Sequence, residues 1–340
     1  MDQFSAHLDR GWELIARNDP RGAESSARRA LELDPQSPEA HNLLGYSAAL
    51  AGNAEEAIES YRQAIALDDA YFEAMLNAAE VYIHPLHDYE EAVSMCEQAL
   101  ELAETDEERV DALLLKLDAL LATGDEQLEE AKKTLARMPR PPYENAAHAF
   151  LVGRAHYELG DIDAAAPLID AALVTDPLHG DAWYYQGLPR DERGEAQSAT
   201  TAFLRSRELE LETAPPPWTL AKEELSALCQ EILGTLDPAL GTFVKRATVF
   251  LSDVPGLELV ADGVDPRVLL LCDGLYPPET PHVPCERIFF YQRNIERLAG
   301  HPEAVEGEIR AALEREITAT FLEGDQAPTH LVSQGPGLVV

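Results

Sequence analysis

The sequence predicts a mostly α-helical protein: a stack of about six helical hairpins over residues 1–212, followed by a small α+β domain over residues 218–325. Three observations lead there. Small residues recur at a 34-residue spacing, the recurrence stops after Glu212 at the run Ala214-Pro215-Pro216-Pro217, and beyond that run short β-branched and aromatic stretches alternate with amphipathic ones. A fixed period of this length marks an array whose units stack to share one continuous core.

The period is visible residue by residue. Gly11, Ala23, Ala30 and Pro35 return 34 positions later as Gly45, Ala57, Ala64 and Asp69. Gly153, Gly160, Ala165 and Ala172 return as Gly187, Gly194, Ala199 and Ser206, with Trp183 opening that second copy. Between these pairs lie two weaker units, about 72–103 and 106–138, with extra residues in the turn "HPLHDYEEA" and around Gly124. Glycine or alanine at a helix crossing lets two backbones approach, and a large residue such as Tyr61 or Phe203 fills the gap that remains. Pro189 falls inside the first helix of the sixth unit and removes a backbone donor, so that helix is expected to kink or to end early. His84, His87 and Asp88 cluster in the turn of the third unit and have ligand chemistry, but they sit beside Pro85 in a connecting loop.

With this period and these small-residue positions, residues 1–212 resemble the tetratricopeptide repeat. The resemblance implies an α-α superhelix whose first helices line a concave groove for a peptide or helix. In the second and third units those helices read "PEAHNLLGYSAALA" and "FEAMLNAAEVYI" and contain no Lys or Arg. That disfavours the basic clamp with which some members of the family hold carboxylate tails. His41, Asn42, Tyr46, Asn77 and Tyr82 are the candidate groove residues, with packing between repeats as the competing role for some of them.

Charge narrows the partners. The formal net charge is -36, and nucleic-acid binding needs clustered Lys and Arg to displace counterions from phosphates. Nucleic acid and anionic membrane surfaces are therefore excluded, and a protein or peptide partner, basic or apolar, is expected. The four cysteines, Cys96, Cys229, Cys272 and Cys285, form no CxxC pair and no dense framework, as in a reduced intracellular chain. The sequence offers no run long and apolar enough to span a bilayer and no basic, apolar start, so a cytoplasmic location is expected.

Residues 213–217 read as a stiff proline-rich linker. After it, 218–236 is patterned as an amphipathic helix, 244–254 and 267–276 as strands, 287–299 as a strand running into a helix, and 303–321 as a helix with Ile309, Leu313, Ile317 and Phe321 on one stripe. Residues 326–340 read as a flexible tail. The order of these segments, with "LLLCDGLYPPE", "RIFFYQRNIER" and "EIRAALEREITATFLEGD", resembles the minimal zincin-like metallopeptidase domain of short bacterial proteins. In that family the last helix carries HExxH, two histidines on one face binding zinc and a glutamate activating the bound water.

Carried over position by position, the resemblance places Arg315 and Ala319 at the two histidines, Glu316 at the general base and Asp325 at the third ligand. Arg cannot be deprotonated to serve as a ligand and Ala has no donor atom. The resemblance thus implies a pseudo-metallopeptidase with no metal, in which Arg315 either pairs with Asp325 or faces water, and in which the strand "RIFFYQ" lies at a sheet edge that still accepts a peptide. Cys272, His282 and Cys285 are a further set with zinc-binding chemistry, one ligand short of a closed site. The functional expectation is a protein-interaction adaptor without a cofactor and without catalysis. The competing expectation is an active zinc-dependent metallopeptidase with unusual ligands, in which the repeats recruit substrate; a scaffold that binds through neither surface is the third.

Overall fold

A computed structural model of the chain describes residues 2–273 and 285–319, and these form two compact units that divide between Leu168 and Ile169. The helices of the first unit come in consecutive pairs: α1 (Gln3–Ala16) with α2 (Pro20–Leu33), α3 (Pro38–Leu50) with α4 (Ala54–Leu67), α5 (Phe72–Ile83) with α6 (Tyr89–Leu102), and α7 (Asp106–Ala122) with α8 (Leu128–Leu135). Then follow α9 (Ala146–Glu158) and α10 (Ile162–Thr175), within which the division between the units falls. Local chemistry starts these helices. Asp2, Asp19, Ser37, Asp88 and Asn145 each accept a backbone N–H of the first turn, and Thr105 with Glu108 forms a reciprocal capping box.

The turns inside the hairpins repeat as well. Asn18, Gly52, His87, Gly124 and Gly160 all have positive φ, each at the residue where one helix of a pair hands over to the next. Glycine takes that left-handed conformation without strain, and Asn and His tolerate it in a turn. His87 is therefore explained by its backbone. In the same turn Asp88 caps α6 and His84 lies 3.3 Å from Asp118 of α7, so the three residues have separate structural roles.

Packing follows the small-residue pattern. A Cβ added at Gly45 would stand 2.6 Å from the Tyr61 ring, and one added at Gly11 would stand 2.3 Å from Leu43. Tyr61 closes the crossing of its own hairpin and also joins Ala78, Val81 and Tyr82 of α5 in one cluster, so a single ring serves both contacts. The first helices of successive pairs touch in series, α1 with α3, α3 with α5, α5 with α7 and α7 with α9, and so present one continuous face.

The second unit opens with a sixth hairpin, α11 (Gly180–Glu192) and α12 (Ala196–Glu212). At its crossing Gly187 faces Phe203, the ring only 2.3 Å from where a Cβ would stand, and Gly194 supplies the positive φ of its turn. Of the two outcomes expected from Pro189, the early end does not occur: α11 continues through that residue to Glu192. One absent hydrogen bond does not outweigh the packing of α11 along the full length of α12.

After this hairpin come α13 (Lys222–Thr235), α14 (Pro238–Val244), β1 (Thr248–Ser252), α15 (Leu257–Ala261), β2 (Leu270–Asp273), β3 (Arg287–Tyr291), α16 (Gln292–Ala299) and α17 (Val305–Ile317). The described strands are ordered β1-β3-β2, with β1 parallel and β2 antiparallel to β3. The strand "RIFFY" is thus central among them, where the sequence reading put it at an edge. Its near-continuous apolar run suits a strand paired on both sides. Ile288, Phe290, Val249 and Leu251 pack on Leu225 and Ile232 of α13, Ile295 of α16 and Ile309, Leu313 and Ile317 of α17, while Phe250 and Phe289 stack on the opposite face at 5.1 Å. Helix α13 starts four residues later than its pattern suggested, because Thr219 and Leu220 are held outside it by Glu296.

Candidate functional site

The face made by the first helices of unit one carries a polar ladder built from equivalent repeat positions. Asn42 of α3 and Asn77 of α5 are joined side chain to side chain, Asn77 Nδ2 donating to Asn42 Oδ1 at 3.0 Å, and Asn42 Nδ2 donates to the Tyr71 hydroxyl at 3.3 Å. One repeat further on, Asp111 of α7 accepts from His148 of α9 across 2.8 Å. Positions 42, 77, 111 and 148 follow the period of the array, so the hydrogen bonds run along the stack.

The five sequence candidates part company here. Asn42 is 2% exposed and Asn77 is half-buried, so Asn77 meets solvent and Asn42 fixes its orientation. Tyr46 is half-buried and meets Trp12 of α1 edge to face at 5.6 Å, which makes an accessible aromatic pair. The His41 ring turns toward the start of its own helix, 3.1 Å from the Pro35 carbonyl. Tyr82 is only 5% exposed, lies among Tyr61 and Ala78, and is covered by the Arg62 guanidinium at 5.9 Å; burial raises its hydroxyl pKa. It belongs to packing between repeats. Sequence reading missed Trp12, Asp111 and His148, and a tabulation of repeat positions 42, 77, 111 and 148 would have found the last two.

The same face is acidic. Glu39, Glu73, Glu80 and Asp111 are exposed on its helices. His84 and Asp118 form a second pair along the stack, and the Asp118 carboxylate 3.3 Å away raises the imidazole pKa above 6.5 although burial opposes it.

In the second unit, Arg315 and Ala319 are exposed and Glu316 is half-buried on α17 and its continuation. Asp325, the remaining relic position, lies outside the described residues, as do His282 and the segment 326–340. Cys272 and Cys285 are buried neighbours in the core under the sheet. The hydrogen bond between the thiols, together with burial, pushes Cys272 far above the ordinary thiol range. Among the described residues no three His, Cys, Asp or Glu side chains converge in a way that would hold a metal ion.

A cleft of about 500 Å³ opens in this unit, bounded by the start of α11, the end of α12, the Pro215-Pro216 turn with Trp218, and α16. Each carboxylate of its surroundings except one has donors of its own. Asp181 pairs with Arg267, which also lies 3.9 Å from the centre of the Tyr184 ring. Glu296 accepts from the Thr219 hydroxyl at 2.6 and 2.7 Å, from Leu220 N–H at 3.1 Å and from Gln292 at 2.8 Å. Arg293 donates to the Glu210 and Thr213 carbonyls and so caps the C-terminal end of α12.

Comparison with known proteins fits the helical region. The tetratricopeptide repeat pattern matches residues 8–82 and 150–209, and a second tetratricopeptide repeat pattern matches residues 74–110. The N-terminal region therefore carries tetratricopeptide repeats. Among curated proteins none matches the chain. Among solved structures, PilF of Pseudomonas aeruginosa is 19% identical, with a TM-score of 0.53 over 66% of this chain and 97% of PilF. PilW, a type IV pilus biogenesis factor, is 18% identical, with a TM-score of 0.51 over 66% of this chain and 98% of PilW. At these identities the likeness is one of fold.

Proposed function

We propose that the chain is a protein-interaction adaptor whose first-helix face binds an extended or helical peptide segment with basic or apolar side chains. The observation that carries this reading is the ladder from Asn42 through Asn77, set between the Trp12–Tyr46 pair and the exposed carboxylates Glu73 and Glu80. A carboxamide held by its neighbour offers a directed donor or acceptor to a peptide backbone, and surrounding carboxylates steer a basic segment toward it. Tetratricopeptide repeat proteins bind protein or peptide partners, and no described helix here is long and apolar enough to cross a membrane.

The test is a peptide array probed with the full chain and with Tyr46→Ala and Asn77→Ala. Peptides with Lys or Arg beside apolar residues are expected to be captured, with binding that weakens as salt rises and falls about tenfold in each variant. Capture that is unchanged in both variants would defeat the reading.

For residues 218–325 we infer a zincin-like domain that has retired its metal, on the strength of Arg315 and Ala319 at the ligand positions of the helix. Elemental analysis of the purified chain is expected to find close to no zinc. About one zinc per chain would favour the metallopeptidase reading instead, and would direct mutation to Cys272, His282, Cys285 and Asp325.

A further inference from the structure

The cleft between α11, α12 and α16 contains a guanidinium whose Nε the fold leaves without a hydrogen-bond acceptor among the described residues. Arg297 lines it, and among the described residues its Nε is shielded from water and meets no hydrogen-bond acceptor. A buried guanidinium nitrogen without an acceptor is costly to leave so. Burial and the nearby Arg267 lower its pKa to about 10, so the group stays charged at neutral pH. Glu210 and Asp181 are near enough to act on that charge, but neither accepts from Nε.

The rest of the cleft has an anion-binding polarity. The N-terminal end of α11, at Gly180 and Asp181, brings the positive end of a helix to one wall. The negative end of α12 on the facing wall is neutralised by Arg293, Asp181 is paired with Arg267, and Glu296 is occupied by Thr219, Leu220 and Gln292. Trp218, Pro215 and Leu209 supply an apolar wall, and the volume is in the range of pockets that enclose a small ligand or the end of a peptide.

We propose that this cleft binds a carboxylate attached to an apolar group, the end of a peptide or a small organic acid, with Arg297 taking the carboxylate and Trp218, Pro215 and Leu209 the apolar part. A guanidinium donates to both oxygens of a carboxylate in a two-pronged geometry that no amide can reproduce. The site is separate from the first-helix face of unit one and does not depend on the function proposed for it.

The experiment is titration calorimetry of the full chain with N-acetyl-leucine, with an acetylated tripeptide ending in leucine, and with the C-terminal amide of each. The acids are expected to bind and the amides to bind about tenfold to a hundredfold more weakly, as loss of a hydrogen bond to a charged group implies. Arg297→Met should lose the acids by a similar factor, and Glu210→Gln should tighten them by removing a competing charge. Tighter binding of the tripeptide would identify a peptide end as the ligand, and equal binding of the two acids a small organic acid. Equal binding of acid and amide by the wild-type chain, or no binding of either acid at millimolar concentration, overturns the proposal even if Arg297→Met fails to fold. Unchanged acid binding by a folded Arg297→Met overturns it as well.

Discussion

At Gly187 a single methyl group would meet the Phe203 ring at 2.3 Å, against nothing within 4 Å at Gly234 near the end of α13. The two glycines make opposite predictions. Gly187→Ala recovers at most about 1 kcal/mol of helix propensity and loses about 1–3 kcal/mol to overpacking, so it should lower the urea midpoint. Gly234→Ala should raise the unfolding free energy by about 0.5–1 kcal/mol, and the midpoint with it, because its site is open. His84 makes a third residue-scale prediction. Its pKa is raised in the folded chain by Asp118, so the stabilisation it contributes is fully present below about pH 6.5 and is lost as pH rises through the raised value. Urea midpoints followed from pH 6 to pH 9 should show that decline, and Asp118→Asn should flatten this contribution.

Among elements, α11 is the one whose tertiary ties override its local sequence. Pro189 is a helix breaker by chemistry, yet the helix runs on to Glu192. Its buried side includes Tyr184, whose hydroxyl donates at 2.8 Å to Asp265, a carboxyl that is 5% exposed and also accepts the Arg267 N–H at 2.7 Å. Burial pushes the Asp265 pKa up. Tyr184→Phe removes one of its donors and should cost about 1–3 kcal/mol in chemical denaturation, since a buried acceptor left with fewer partners loses most of what the bond supplied. Asp265→Asn in the same background should recover part of that loss; no recovery would mean that the Asp265 carboxyl is not the group the lost hydroxyl served.

On the scale of the whole chain, the end of the repeat period and the edge of the compact unit do not coincide. The period ends at Glu212, whereas α11 and α12 fold in the same unit as the sheet, through Tyr184–Asp265, Arg267–Asp181, Arg207 to the Pro255 carbonyl and Arg293 to the end of α12. A fragment that begins at Asp176 should therefore resist limited proteolysis, and one that begins at Thr213 should be cut quickly and unfold at lower denaturant. Equal resistance of the two would show that the hairpin contributes little to this unit.

The helical hairpins, their small-residue crossings and their turn positions were legible in the sequence, because each depends on a contact within one repeat, such as Gly45 on Tyr61, and recurs every 34 residues or so. The strand and helix segments after Trp218 were legible for the same local reason, through their periodicity. The short helices α14 and α15 were not, since five to seven residues carry too little pattern. Among the candidate groove residues, the sequence marked Asn77 and Tyr46 but could not separate them from Tyr82, because burial depends on which neighbouring helix covers a position. Arg297 is the furthest case. It sits in an ordinary amphipathic segment, and only the approach of α11, α12 and α16, distant in sequence, decides that its Nε meets no acceptor.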